Sequence, residues 1–143
     1  MTLVLDTAPL VAVADRRDPM YSHVHAILRD EPGELVIPAP VTAEVDYLLG
    51  RRLGRVARLA FLDDLAAGRF TVVSLDADDH GVVVDLERRY EDLDVGLADL
   101  SIVVAASRYR TRRLLTFDKR HFRALRPLSG GQFTLLPMDE TAP

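Results

Sequence analysis

The 143-residue chain has no cysteine and a single lysine, Lys119. The first absence excludes a disulfide framework and any thiolate metal site; it fits a reducing compartment, and a cytoplasmic location is the expectation. No apolar run approaches the roughly 18 residues that a membrane span needs. Only one short strand precedes Asp6, so a signal peptide with a charged start and an apolar stretch is not expected. The net charge of −4 excludes a protein coated in positive charge. There are no internal repeats, no linker and no low-complexity stretch. What is present is ordinary for a globular protein, with 48% hydrophobic and 28% charged residues. The length suits one domain able to bury a core unaided.

The positive charge is nearly all arginine, and it is clustered. Arg108, Arg110, Arg112, Arg113, Lys119, Arg120, Arg123 and Arg126 fall in one segment against a single acid, Asp118. Arg51, Arg52, Arg55 and Arg58 follow Glu44. Arginine grips phosphate through a planar fork, so these groups, beside acidic positions, point to a phosphate-rich ligand. For any single arginine a solvated surface role weighs about equally.

Strands and helices alternate along the chain. Strands are expected at 2–5, 35–38, 70–75, 112–117 and 132–137. Helices are expected from Leu10 to Ala14, from an Asp18 cap with Pro19 first to about Asp30, at 40–49 ending near Gly50, and at 56–67 stopping at Gly68. Further helices are expected at about 78–90, 97–109 and 119–124. This alternation predicts an α/β fold: a central, mostly parallel sheet with helices on both faces. One domain spans 1–137, and a loose tail follows at 138–143.

Within that pattern, acids stand where a core is expected. Two hydrophobic strands close on aspartates, LVLD on Asp6 and LLTFD on Asp118. In an open α/β sheet, ligands bind outside the carboxyl ends of the strands, which brings these two together. Glu44 falls on the Val41, Val45, Leu48 stripe of its helix, and Asp46 points the other way. Asp99 shares a face with Ile102, Val103 and Ala106 in a helix that is apolar almost all round. A first-turn acid gains only about 0.3–1 kcal/mol from the helix dipole, too little to offset burial of a carboxylate. Four convergent carboxylates repel one another, and hard cations such as Mg²⁺ or Mn²⁺ resolve the repulsion with oxygen ligands. Metal-assisted phosphodiester hydrolysis is the chemistry that follows. Thr7, Asp94 and Thr116 are candidates for supporting that site from beside the acids. The alternatives are a helix cap or strand residue for the threonines and a helix cap for Asp94. Arg112, Lys119 and Arg120 are candidate phosphate contacts. His23, His25, His80 and His121 show no metal-ligand spacing and read as structural or surface residues, although His121 lies three residues after Asp118 and could approach phosphate.

The segments LDTAPLVA, PAPVTAEVDYLL, DVGLADLSIVVAAS and LLTFDKRHF, in this order, resemble those of PIN-domain ribonucleases, and more narrowly the VapC toxins of bacterial type II toxin–antitoxin pairs. The resemblance covers nearly the whole chain. It implies an Mg²⁺- or Mn²⁺-dependent endoribonuclease whose metal site is Asp6, Glu44, Asp99 and Asp118. It also implies an RNA substrate, a homodimer paired through the early helices, and a cognate antitoxin. Val24, Ile27, Leu28, Leu59 and Leu62 are candidates for those contacts, with ordinary core the blander role. Three other readings compete: a PIN-type nuclease of RNA processing without a toxin role, a phosphoacceptor module that clusters aspartates at strand ends, and a catalytically inactive binding module. The phosphoacceptor reading lacks the paired early acids after the first strand and does not need Glu44 or Asp99.

Overall fold

The computed structural model describes residues 1–140. Five strands form one sheet: β1 (Thr2–Leu5), β2 (Glu34–Pro38), β3 (Thr71–Val73), β4 (Arg113–Leu115) and β5 (Thr134–Leu136). Every pairing among them is parallel, in the order β3-β2-β1-β4-β5. Leu3, Val4 and Leu5 of β1 are all fully buried at successive positions. A strand buried on both faces reads as a continuous apolar run and not as an alternation, as LVL does.

The helices are α1 (Thr7–Ala12), α2 (Tyr21–Asp30), α3 (Ala39–Arg52), α4 (Arg55–Ala66), α5 (Ala77–Arg89), α6 (Leu97–Arg108) and α7 (Lys119–Ala124). Every residue of α6 from Leu100 to Ala106 is buried. The helix packs against β1, β2 and α3, while α5 covers its outer side. The expected central helix is therefore central. The acids of the α5 segment, Asp85, Glu87, Glu91 and Asp92, are all exposed, as a solvated face should be. A reciprocal capping box opens α5: Asp76 accepts from the Asp79 backbone at 2.9 Å, and Asp79 accepts from the Asp76 backbone at 3.0 Å.

Strand order carries the functional consequence. The chain builds outward on one side of β1 through β2 and β3, then crosses back so that β4 pairs with the other side of β1. The direction of winding reverses between β1 and β4, and at such a reversal the flanking connections diverge and leave a crevice at the carboxyl ends of the strands. Asp6 directly follows β1, and Asp118 lies three residues beyond β4.

Some boundaries differ from the sequence expectation. The third helix does not stop at Gly50; it runs to Arg52, and the break comes at Gly54, whose φ of +98° only glycine adopts without strain. Leu49, buried one residue before Gly50, and the continuing apolar contact of Leu53 with the core outweigh the modest helix penalty of one glycine. The second helix starts at Tyr21, since Asp18 caps a preceding turn by accepting from the Met20 backbone at 2.8 Å. Val24 and Ile27 are buried core and not exposed contact residues, whereas Leu59 remains partly exposed. Of the expected loose tail, Asp139 accepts from the Leu135 backbone at 2.7 Å and pairs with Arg123, and Glu140 meets His23 at 2.9 Å; residues 141–143 lie outside the described residues.

Candidate active site

Asp6 is buried, with both carboxylate oxygens engaged: Oδ1 accepts from the Thr7 backbone at 2.8 Å, and Oδ2 accepts from the Thr116 hydroxyl at 2.7 Å. The same Thr116 oxygen accepts from the Asp118 backbone at 2.9 Å. One fully buried hydroxyl at the end of β4 therefore ties the two strand-terminal acids together across the crevice. Threonine suits this place because its oxygen donates once and accepts as well. Asp118 caps α7, accepting from the His121 backbone at 3.0 Å.

α6 brings Asp99 to the same crevice in its first turn, and α3 brings Glu44. All four acids line one open cleft of about 470 Å³, together with Thr7, Asp18, Leu48 and Arg52. Ligand atoms of Asp99, Asp118 and His121 come within 4.8 Å of one another; Asp6 and Glu44 are outside that tight trio. Glu44 is exposed at the rim, so its place in the helix stripe faces the cleft and not the core. Glu44, Leu48 and Arg52 follow one another at four-residue intervals, which aligns them on one side of α3.

The electrostatics show groups crowded by like charge. Burial pushes Asp6 up from the ordinary carboxylate range to about 6; its two hydrogen bonds oppose the rise, and Asp99 and Asp118 add to it. Asp99 is likewise raised, first by burial and then by the charge of Asp118, with His121 opposing and Glu44 adding a smaller push. Raised acids at one crevice signal a site organised for a cation. The Thr7 hydroxyl is a second sign: it is buried at the same cleft with no hydrogen-bond partner, and buried polar atoms are rarely left so. An all-oxygen set of carboxylates and hydroxyls fits Mg²⁺ or Mn²⁺.

Not every sequence candidate belongs here. Asp94 is exposed, adopts a left-handed φ of +53° after a short 3-10 turn (Glu91–Leu93), and neither caps α6 nor lines the cleft. The cap of α6 is Gly96, without a side-chain bond. Lys119 and Arg120 are exposed in the first turn of α7, directly beyond Asp118. Arg112 is elsewhere: it precedes β4 and so lies at the amino-terminal edge of the sheet. Two residues stand at the cleft beyond the expected acids. His121 places Nδ1 2.7 Å from Asp118 Oδ2 and 3.9 Å from Asp99 Oδ2; its signal was the three-residue spacing from Asp118, which puts both on one side of a helical turn. Asp18 is a fifth acid at the cleft, hidden by its legitimate reading as a cap. His23 and His80 are bound elsewhere, to Glu140 and to the Asp76 carbonyl.

Comparison with known proteins agrees with this geometry. The family model described as PIN domain matches residues 3–126. Ribonuclease VapC26 of Mycobacterium tuberculosis (strain ATCC 25618 / H37Rv) is 39% identical over 135 residues, spanning 94% of this chain and 100% of that protein. The crystal structure of M. tuberculosis VapC20, described as a sarcin-ricin loop cleaving toxin, superposes with a TM-score of 0.76 at 18% identity, covering 82% of this chain and 91% of the other. VapBC2 from Rickettsia felis, solved bound to a DNA fragment from its promoter, gives a TM-score of 0.65 at 19% identity, covering 87% and 93%. At these identities the two structures speak for the fold alone.

Proposed function

Because the chain belongs to the PIN-domain family, as a relative of the VapC ribonucleases, we propose that it is a metal-dependent endoribonuclease and the toxin of a toxin–antitoxin pair. The observation that carries the chemistry is the Thr116 hydroxyl joining Asp6 to the Asp118 backbone at the winding reversal of the sheet, with Asp99 and Glu44 lining the same cleft.

Asp6, Asp99 and Asp118, with Glu44 at the rim, would hold Mg²⁺ or Mn²⁺. When bound, such an ion makes water acidic enough to attack a phosphodiester and offsets charge on the leaving oxygen. The protein's own groups do the rest. Thr116 fixes the orientation of Asp6, and the Asp6 oxygens each keep a lone pair for a ligand. His121, donating from Nδ1 to Asp118 at 2.7 Å and lying 3.9 Å from Asp99, stands between the two carboxylates and steadies Asp118. Arg52, at the far end of the Glu44–Leu48–Arg52 line, offers a guanidinium to the phosphate of a strand lying along α3, and Lys119 and Arg120 do the same from α7. Hydrolysis adds water across one P–O bond, leaving one phosphate-terminated and one hydroxyl-terminated RNA fragment.

An RNA substrate, a cognate antitoxin and a homodimer complete the proposal. Tyr47, Val56 and Leu59 leave apolar surface uncovered on α3 and α4, which supports contact with another protein surface. Expression in a bacterial host tests the toxin role. Growth arrest that is lost with Asp6→Asn, and relieved by a co-expressed antitoxin, is the expected result. Normal growth with abundant folded wild-type protein would favour an RNA-processing role instead.

A further inference from the structure

The sheet has a second charged end that the catalytic reading does not use. At the amino-terminal edge of the strands, opposite the acids, lies a cleft of about 860 Å³. Arg110, Arg112 and Arg113 line it with Thr2, Leu128 and Ser129, and no carboxylate does, in a protein whose net charge is −4. Arg113 is neutralised by Glu31 at 2.8 Å. Among the described residues, Arg110 and Arg112 make no ion pair.

The Arg112 side chain is held in place. The Arg112 guanidinium packs over Gly131, only 3.2–3.4 Å from where a Cβ would stand, and that glycine has a φ of +83°. From another side, Arg126 Nη1 donates to the Gly131 carbonyl at 3.3 Å. Two guanidinium groups thus meet at one glycine, and Arg112, one of the two, lines a cleft that no carboxylate lines. Like charges held this way repel, and an anion that accepts from both relieves the repulsion.

We propose that this cleft is a second RNA contact, taking backbone phosphates of a folded substrate through Arg110 and Arg112, with Arg126 reaching the same phosphates from beside Gly131. The proposal rests on the reading of RNA as the substrate. Guanidinium forks with neighbouring hydroxyls match phosphate oxygens. The six residue-to-residue steps from Arg112 to Asp118 set the two ends of the sheet apart by roughly 20 Å at most. A ligand that contacts both must span the length of the sheet; a dinucleotide seated in the acidic cleft does not. Recognition of RNA by shape and backbone works in this way.

The test is binding of folded transfer RNA by the full-length protein in chelator, so that cleavage does not intervene, across a range of salt. Two variants approach the cleft differently: Arg110→Gln/Arg112→Gln removes cations, and Ser129→Glu adds a carboxylate while keeping both arginines. Weaker binding in both, with the salt dependence shallower by about two phosphate contacts in the double variant, is the expected result. Affinity for a dinucleotide, too short to leave the acidic cleft, should change much less. Unchanged binding and unchanged slope in the well-folded Ser129→Glu protein would overturn the proposal. So would tighter binding of polyglutamate than of the RNA at matched charge, which would assign the cleft to an acidic protein segment. Loss of RNA cleavage with this binding intact would instead count against the nuclease reading.

Discussion

At the scale of the residue, the acidic cleft turns on how Asp6 is held. Its carboxyl, raised to about 6, is higher in the folded protein than in an unfolded chain. Ionised Asp6 therefore costs stability above pH 6, roughly 3 kcal/mol for a shift of this size. That cost disappears as pH falls from about 6 toward 4, where the buried group takes up its proton. Metal-free protein should accordingly become more stable over that interval, and Asp6→Asn should raise the melting temperature at pH 7 while making little difference at pH 4. The expected sign reverses for the ion: Mn²⁺ affinity should drop as pH falls through 6. Thr116→Val removes a hydrogen bond that lowers the Asp6 pKa and also frees the Asp118 backbone. Losing a partner that orients a ligand typically weakens metal binding by about 10–100-fold, and calorimetric titration with Mn²⁺ measures it.

At the scale of the element, α5 and α6 divide structural from chemical duty. α5 contributes nothing to the acidic cleft, and its start depends on the Asp76–Asp79 box. Asp76→Ala should cost about 1 kcal/mol, read as a lower melting temperature, and should leave RNA cleavage near the wild-type rate. This division was legible in the sequence. Asp6, Asp99 and Asp118 stood out because each interrupts an apolar element, and strand β1 and helix α7 fall where the pattern placed them. Less legible was the role of residues with a local excuse. Asp18 satisfied a cap, and His121 gave no ligand spacing with another histidine; only the fold puts them beside distant acids. Glu44 was found for its helix stripe, yet the stripe's edge opens to solvent, a distinction that periodicity does not make. The end of α3 lies beyond Gly50, where periodicity places it, because a tertiary contact by Leu53 outweighs a glycine.

At the scale of the whole molecule, the parallel sheet sorts charge by strand polarity. Asp6, Asp99 and Asp118 gather at the carboxyl ends, while Arg110 and Arg112 stand at the amino end of β4 in a cleft that no carboxylate lines. The sequence showed the arginine cluster but not its division. Arg112 and Lys119 are seven residues apart, yet β4 runs between them and delivers them to opposite edges. A cation bound only by the native fold stabilises the whole domain in proportion to its occupancy. Mn²⁺ should therefore raise the melting temperature of the wild type and have little effect on Asp99→Asn. No helix among the described residues is long and apolar enough to cross a membrane.

The most direct test of the account is cleavage of total cellular RNA by purified, antitoxin-free protein with Mg²⁺, with Mn²⁺ and with chelator, beside Asp99→Asn. The account predicts discrete fragments that require the ion and vanish in the variant. Cleavage that survives chelation, or that Asp99→Asn performs at the wild-type rate, would contradict it.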